Sequence, residues 1–305
     1  MSVVYLMIFS LIIATFGRFS VHSSLHSVIL FFHQSCLSRI PSESLANSDL
    51  KALVCGENFS ARADSELYVS TGLIHLFVVS GTHLLLLEKF LGHFIFHFHR
   101  FNKFLILLCL FIYVLMCDFN PPIVRSFVSL VGGFLLVKCQ LNWPSSFRIL
   151  LVGLMTLLIN PAWISSISLQ LSWLAGLVVS LQLTYFKKEN FLWQQSLYFI
   201  FLFPILIFLC VPSPFIILVN LFFAPMLELI LFPLGLIVCI FPFTYVLFDR
   251  VIEVLNFILG LLEFKTTAQT FLDNGILVSF GWLVILALHF CLHLLEMQYR
   301  KKNYV

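Results

Sequence analysis

The stretch Lys103-Phe-Leu-Ile-Leu-Leu-Cys-Leu-Phe-Ile-Tyr-Val-Leu-Met-Cys-Asp118-Phe-Asn-Pro-Pro122 decides the fold class. No charge lies between Lys103 and Asp118. As a helix rising about 1.5 Å per residue, the run approaches the roughly 20 residues needed to cross hydrocarbon. A cation opens it, and a proline turn free of Lys and Arg ends it. That pattern predicts a membrane crossing rather than a core helix.

The same reading extends over the chain. Its 305 residues are 61% hydrophobic and only 10% charged, with a mean hydropathy of +1.05. Soluble domains carry about 25% charged residues, so this chain cannot cover a globular surface. The expected fold is all-α, a polytopic transmembrane helical bundle of about ten spans. These fall at 3–17, 72–98, 103–119, 122–138, 147–160, 163–186, 190–211, 214–231, 232–248 and 274–297. The pairs around Pro121-Pro122 and Pro233 are read as broken or re-entrant helices, because proline frees backbone carbonyls. The 36 phenylalanines suit lipid-facing and inter-helix packing, and a net charge of +3 is too small to argue for nucleic acid.

Basic residues check the count. Arg100 and Lys103, Lys138 and Arg148, Lys187 and Lys188, and Arg300, Lys301 and Lys302 fall on one face, while the opposite turns carry no Lys or Arg. The positive-inside bias makes that face cytoplasmic, with both termini in the cytoplasm and the chain spanning the cytoplasmic membrane. Residues 1–17 then form an N-terminal span or signal anchor, and 18–71 an extracytoplasmic segment. The core runs over 72–248, an interfacial helix and loop over 249–273, and the last span with a basic tail over 274–305. In the fourth segment Asp249, Glu253, Asn256, Gly260 and Glu263 form one polar stripe on a greasy helix, suited to the membrane interface. Cys36 and Cys55 share the oxidising compartment, where a disulfide between them is an open possibility.

Polar residues inside apolar runs are the candidates for function, since hydrocarbon offers them no partners. Gly72-Leu-Ile-His75-Leu-Phe-Val-Val-Ser80-Gly81-Thr82-His83 is the densest such run. Read as one helix, it places His75 and Thr82 on a shared face and Ser80 beside His83. A metal site, a serine–histidine nucleophile pair and a structural or pore-lining role compete there. The histidines, about 80° apart around the helix, make a poor ligand pair, and no third group is visible to orient a base. No metal or cofactor is expected. Arg125 is either a snorkelling arginine or a cation aimed at anionic substrate. Gln170 and Ser172 sit inside an apolar helix, and Asn220 and Glu228 straddle Ala224-Pro225-Met226, a plausible discontinuous helix. His289 and His293 are an i, i+4 pair suited to packing.

The order of these pieces resembles the ComEC-type competence channel family. Ala52-Leu-Val-Cys-Gly56 and the Gly72–His83 run resemble its first signature, G-L-x-H-L-x-x-x-S-G-x-H. Val124-Arg125-Ser126, Asn160-Pro161, Leu169-Gln-Leu-Ser-Trp173, Asn220-Leu-Phe-Phe-Ala224-Pro225 and Pro233-Leu-Gly235 are similar to later family landmarks, over about residues 50–240. The resemblance implies passage of single-stranded DNA across the cytoplasmic membrane in natural transformation, without catalysis by this chain. Its path would be lined by His75, Ser80, Gly81, His83, Arg125, Gln170, Ser172, Asn220 and Pro225. Implied partners are single-stranded DNA, the lipid bilayer and other competence proteins: a DNA receptor, a helicase and a separate nuclease. Residues 18–71 are too short for the family's OB-like domain and the nuclease motif is missing, so the expectation is the channel module alone. The competing readings are a proton-coupled small-solute transporter, an intramembrane hydrolase on Ser80 and His83, and a non-conducting partner of a DNA-processing complex.

Overall fold

A helix satisfies its own backbone donors and acceptors within one segment, which is why apolar sequence of this kind folds as helices. The computed structural model describes residues 21–57, 67–68, 73, 79–95, 102–185, 193, 196–197, 200–202, 205, 214–261 and 274–303. Among them every regular element is helical, in keeping with a helical bundle. Among the described residues two helices are long and apolar enough to cross a membrane, Pro121–Lys138 and Gly275–Gln298. Lys103–Met116, Ser145–Ile159, Ile167–Leu183 and Leu227–Ile240 are apolar but shorter, against about ten crossings expected. The expected span 3–17 lies outside the described residues.

The chain forms two compact units. One comprises Ser27–Ile123 and Leu206–Phe271, the other Met1–His26, Val124–Ile205 and Leu272–Val305. The expected core 72–248 contributes to both.

In the unit built on Ser27–Ile123, helices α1 (Val21–Leu37, from Ser27 on) and α2 (Asn47–Cys55) are joined by a Cys36–Cys55 disulfide with Cα atoms 5.8 Å apart. The segment expected to be a long polar stretch is thus partly helical and well packed. Leu50, Leu53 and Val54 of α2 and the buried Tyr68 share a core with two later helices. These are α8 (Pro214–Ile240), through Leu231 and Val238, and α9 (Tyr245–Leu261), through Phe248, Ile252, Leu255 and Leu259. The approach is close: a Cβ on Gly235 would meet Val54 Cγ2 at 2.7 Å. Gly56 ends α2 at φ 70°, a left-handed cap, and Cys117 and Asn120 leave its Cα no room for a side chain. Helices α3 (Gly81–Ile95) and α4 (Asn102–Met116) pack together in the same unit.

Three expectations are corrected here. The run 72–98 is not one helix, because Val79 and Ser80 are non-helical and α3 starts at Gly81. Helix α8 passes Pro225 and Pro233 without a break, so 214–231 and 232–248 are not separate spans. On α9 the polar stripe does not face outward as a whole. The Asp249 carboxylate accepts from Ser44 Oγ (2.6 Å) and from the amides of Leu45 (3.0 Å) and Ala46 (3.2 Å), while Asn256 accepts from the Tyr68 hydroxyl at 2.6 Å. The exposed residues of α9 are mixed, the apolar Leu247, Val254, Phe257 and Leu261 beside an Arg250–Glu253 ion pair at 2.7 Å.

The other unit holds α5 (Pro121–Lys138, from Val124 on), α6 (Ser145–Ile159), a 3-10 turn (Pro161–Ser165), α7 (Ile167–Tyr185) and α10 (Asn274–Asn303). Pro121 and Pro122 open α5 in its first turn, where their missing N–H groups cost nothing, so no broken helix forms there. Helices α6, α7 and α10 pack on one another. Trp173 of α7 is nearly buried, and Gly153 of α6 is glycine because any Cβ would run into its indole. The indole N–H donates to His289 Nε2 at 2.8 Å and the ring meets Trp282 edge-on at 5.4 Å. His289 is thereby a packing residue of α10. The α6 N-terminus is held by Glu296, whose carboxylate accepts from the Ser146 amide (3.1 Å) and hydroxyl.

Candidate functional site

In the unit of α3, α4 and α8, the polar run ends as a helix start. Ser80 precedes α3, and His83 sits three residues on, where its Nδ1 accepts the Ser80 backbone N–H at 3.0 Å. This is the side-chain-to-N-cap half of a capping box, with histidine in place of the usual glutamate. Because Nδ1 accepts, the neutral ring carries its proton on Nε2, which lies 3.7 Å from Glu228 Oε1 of α8. The same oxygen accepts from Thr82 Oγ1 and, at 3.4 Å, from Ser80 Oγ, and the two hydroxyls are 2.5 Å apart. A carboxylate at a helix N-terminus also meets the favourable end of the helix dipole. His83 is fully buried, its ring 4.5 Å from that of Phe232. A cavity of about 240 Å³ adjoins the cluster, lined by Thr82, Leu85, Leu86, Lys89, Glu228 and Leu229. Ser80 Oγ is 3.3 Å from His83 Nδ1, yet that nitrogen already takes the backbone proton. The geometry is that of a cap, not of a base poised to activate a nucleophile.

In the unit of α5–α7 and α10, Arg125 of α5 lies half-buried along α7. Its Nε donates to Ser172 Oγ at 2.9 Å, and the guanidinium rests over Gly176, where a Cβ would sit 3.0 Å from Nη1. Ser172 and Gly176 are one turn apart, so together they present a flat seat with one acceptor. Gln170 faces elsewhere, as a separation of two residues turns a helix by about 200°. It is fully buried against Gly281 of α10 and donates to the Val278 carbonyl at 2.8 Å.

The candidates therefore fall into two groups. Arg125 and Ser172 are in contact, with Gln170 on another face of the same helix. Ser80, Gly81 and His83 form a second group at the α3 N-terminus. Gly81 is the first residue of α3. His75 and the side chains of Asn220 and Pro225 lie outside the described residues. Three participants, Glu228, Thr82 and Gly176, were not among the residues expected to line the path. Glu228 stood out as a carboxylate in an apolar run, and Thr82 stood in the Gly72–His83 run on a face shared with His75. Gly176 carried no local signal. No group of three or more His, Cys, Asp or Glu suited to a metal occurs among the described residues.

A family model described as competence protein matches residues 53–302, well over half of the chain. No curated protein and no solved structure matches.

Proposed function

The chain belongs to the competence protein family, and from that premise we propose that it is the channel through which single-stranded DNA crosses the cytoplasmic membrane during natural transformation. Family membership and the apolar helices make it a membrane protein with a role in competence DNA uptake. The observation that carries the finer reading is the length of the family match, which spans both units.

Physical chemistry supports it in one respect above all. A phosphodiester chain cannot enter hydrocarbon, so its path needs polar groups on otherwise apolar helices. Arg125 is the residue we assign to phosphate. Its guanidinium is always charged and presents a planar fork of donors, and the Ser172–Gly176 seat holds that fork in one orientation. A few such contacts suit a moving polymer better than a tight basic groove, since each step must release. His75, Ser80, Gly81, His83, Asn220 and Pro225 would shape the rest of the path. Multi-pass topology with both termini in the cytoplasm belongs to the proposal, as do the DNA receptor, helicase and separate nuclease as partners. The chain itself performs no catalytic step in it.

The test is transformation of a deletion strain complemented with Arg125→Ala or His83→Ala. Both are expected to lose most uptake while reaching the membrane in normal amount. Normal transformation by both would overturn the assignment. The Glu228 cluster favours one other reading, a proton-coupled solute transporter, which acid-driven solute flux in vesicles without any DNA uptake would support.

A further inference from the structure

Glu228 is the one charged residue of α8 by sequence, and the DNA path assigns it no role. Its carboxylate reaches across to α3, where the hydroxyls of Ser80 and Thr82 donate to the same oxygen and His83 Nε2 stands 3.7 Å away. The cavity of about 240 Å³ leads to this carboxylate past the exposed Thr82, Leu85 and Lys89. A carboxylate that is both held by hydroxyls and reachable through a cavity can take up a proton. We propose that Glu228 is a proton-binding site whose charge clasps the α3 N-terminus to α8.

The step is simple. Glu228 carboxylate accepts a proton from hydronium in the cavity, giving a neutral carboxylic acid and water. Charge-assisted hydrogen bonds are about twice as strong as neutral ones, and the attraction to the helix N-terminus vanishes with the charge. The two hydroxyls then lose their strongest acceptor, and the first turn of α3 loosens. The titratable groups on α3 that face Glu228 are His83 and Lys89. From α4, Tyr113 meets Phe232 of α8 at 6.0 Å, one turn beyond Glu228. Helix α2 approaches α8 at Gly235 through apolar side chains, and the α9 carboxylate Asp249 is committed to residues 44–46. Proton binding stands independently of DNA passage; only its use in driving or gating transport rests on the proposed channel.

The full chain in liposomes, without DNA, provides the test by infrared difference spectroscopy and amide hydrogen exchange across a pH series. Acidification is expected to raise a carboxylic C=O band that Glu228→Gln abolishes and Glu228→Asp shifts. Exchange protection of Leu84–Leu87, the first amides of α3 with acceptors within the helix, corrected for intrinsic rate, is expected to fall severalfold on acidification in the wild type and to be low at every pH in Glu228→Gln. A band unchanged in both variants, or protection independent of pH, would overturn the proposal. Proton uptake without DNA uptake would retain it and sink the channel reading instead.

Discussion

Replacing Ser172 by alanine tests the seat of Arg125 with the least change to the fold. The substitution removes one hydroxyl oxygen from a half-buried position and leaves the helix propensity of α7 unharmed. What disappears is the 2.9 Å bond from Arg125 Nε. A hydrogen bond to a charged group contributes about 1.5–3 kcal/mol, so the seated orientation should become roughly tenfold to a hundredfold less populated against its alternatives. Other contacts of the guanidinium hold the effect toward the lower end. If that orientation meets phosphate, transformation frequency should fall by about the same tenfold, with protein level and membrane insertion unchanged. Gly176→Leu provides the steric counterpart. Even an alanine Cβ would stand 3.0 Å from Nη1 and 3.4 Å from Nη2, so a leucine must push the guanidinium off the seat. Arg125→Lys should resemble Arg125→Ala, because an ammonium has neither the Nε donor nor the planar fork. Wild-type transformation in both Ser172→Ala and Gly176→Leu, alongside a defective Arg125→Ala, would refute the positioning argument while leaving the arginine essential.

Three further outcomes follow from the packing. Gly153→Ala should destabilise the unit of α6, α7 and α10 by about 1–3 kcal/mol through overpacking against Trp173, seen as a lower melting temperature in detergent. Trp173→Phe should partly relieve it. Reducing the Cys36–Cys55 bridge, which closes a separation of 19 residues, should cost the unit of α1, α2, α8 and α9 about 3 kcal/mol, measurable by thermal unfolding with and without reductant. Asp249→Ala strands three donors from residues 44–46 and should cost about 1.5–3 kcal/mol, accompanied by faster reduction of that disulfide. Asp249→Asn, which keeps one carbonyl acceptor, should fall between the two.

Ser80, His83, Arg125, Gln170 and Ser172 could be picked out in the sequence as polar groups in apolar runs, and their partners could not, for physical reasons. Ser80-Gly-Thr-His83 has the spacing of a capping box, a local pattern that places a helix start at Gly81. Treating the whole run 72–98 as one helix hid it, since hydropathy alone does not mark where a helix begins. Gln170 and Ser172 look like one constellation in the sequence, but helical periodicity separates them by about 200°, and they do serve different neighbours. Pro225 and Pro233 are strong local breakers, yet α8 continues through both. In that case packing against α2, α3 and α9 outweighs the local preference.

From the chain alone come the helical class, the membrane as solvent and the family. All three depend on composition and on motif order along the backbone, which are local or additive. The partners of individual side chains required the folded molecule: Glu228 with Thr82, Gln170 with Val278, Asp249 with residues 44–46 and Arg125 with the Gly176 seat. Those pairs lie tens to hundreds of residues apart. Which polar group meets which follows from helix register and close approach at glycine, and apolar patterning specifies neither. Scarcity of charge makes the helices apolar, and close packing then chooses what their few polar groups touch.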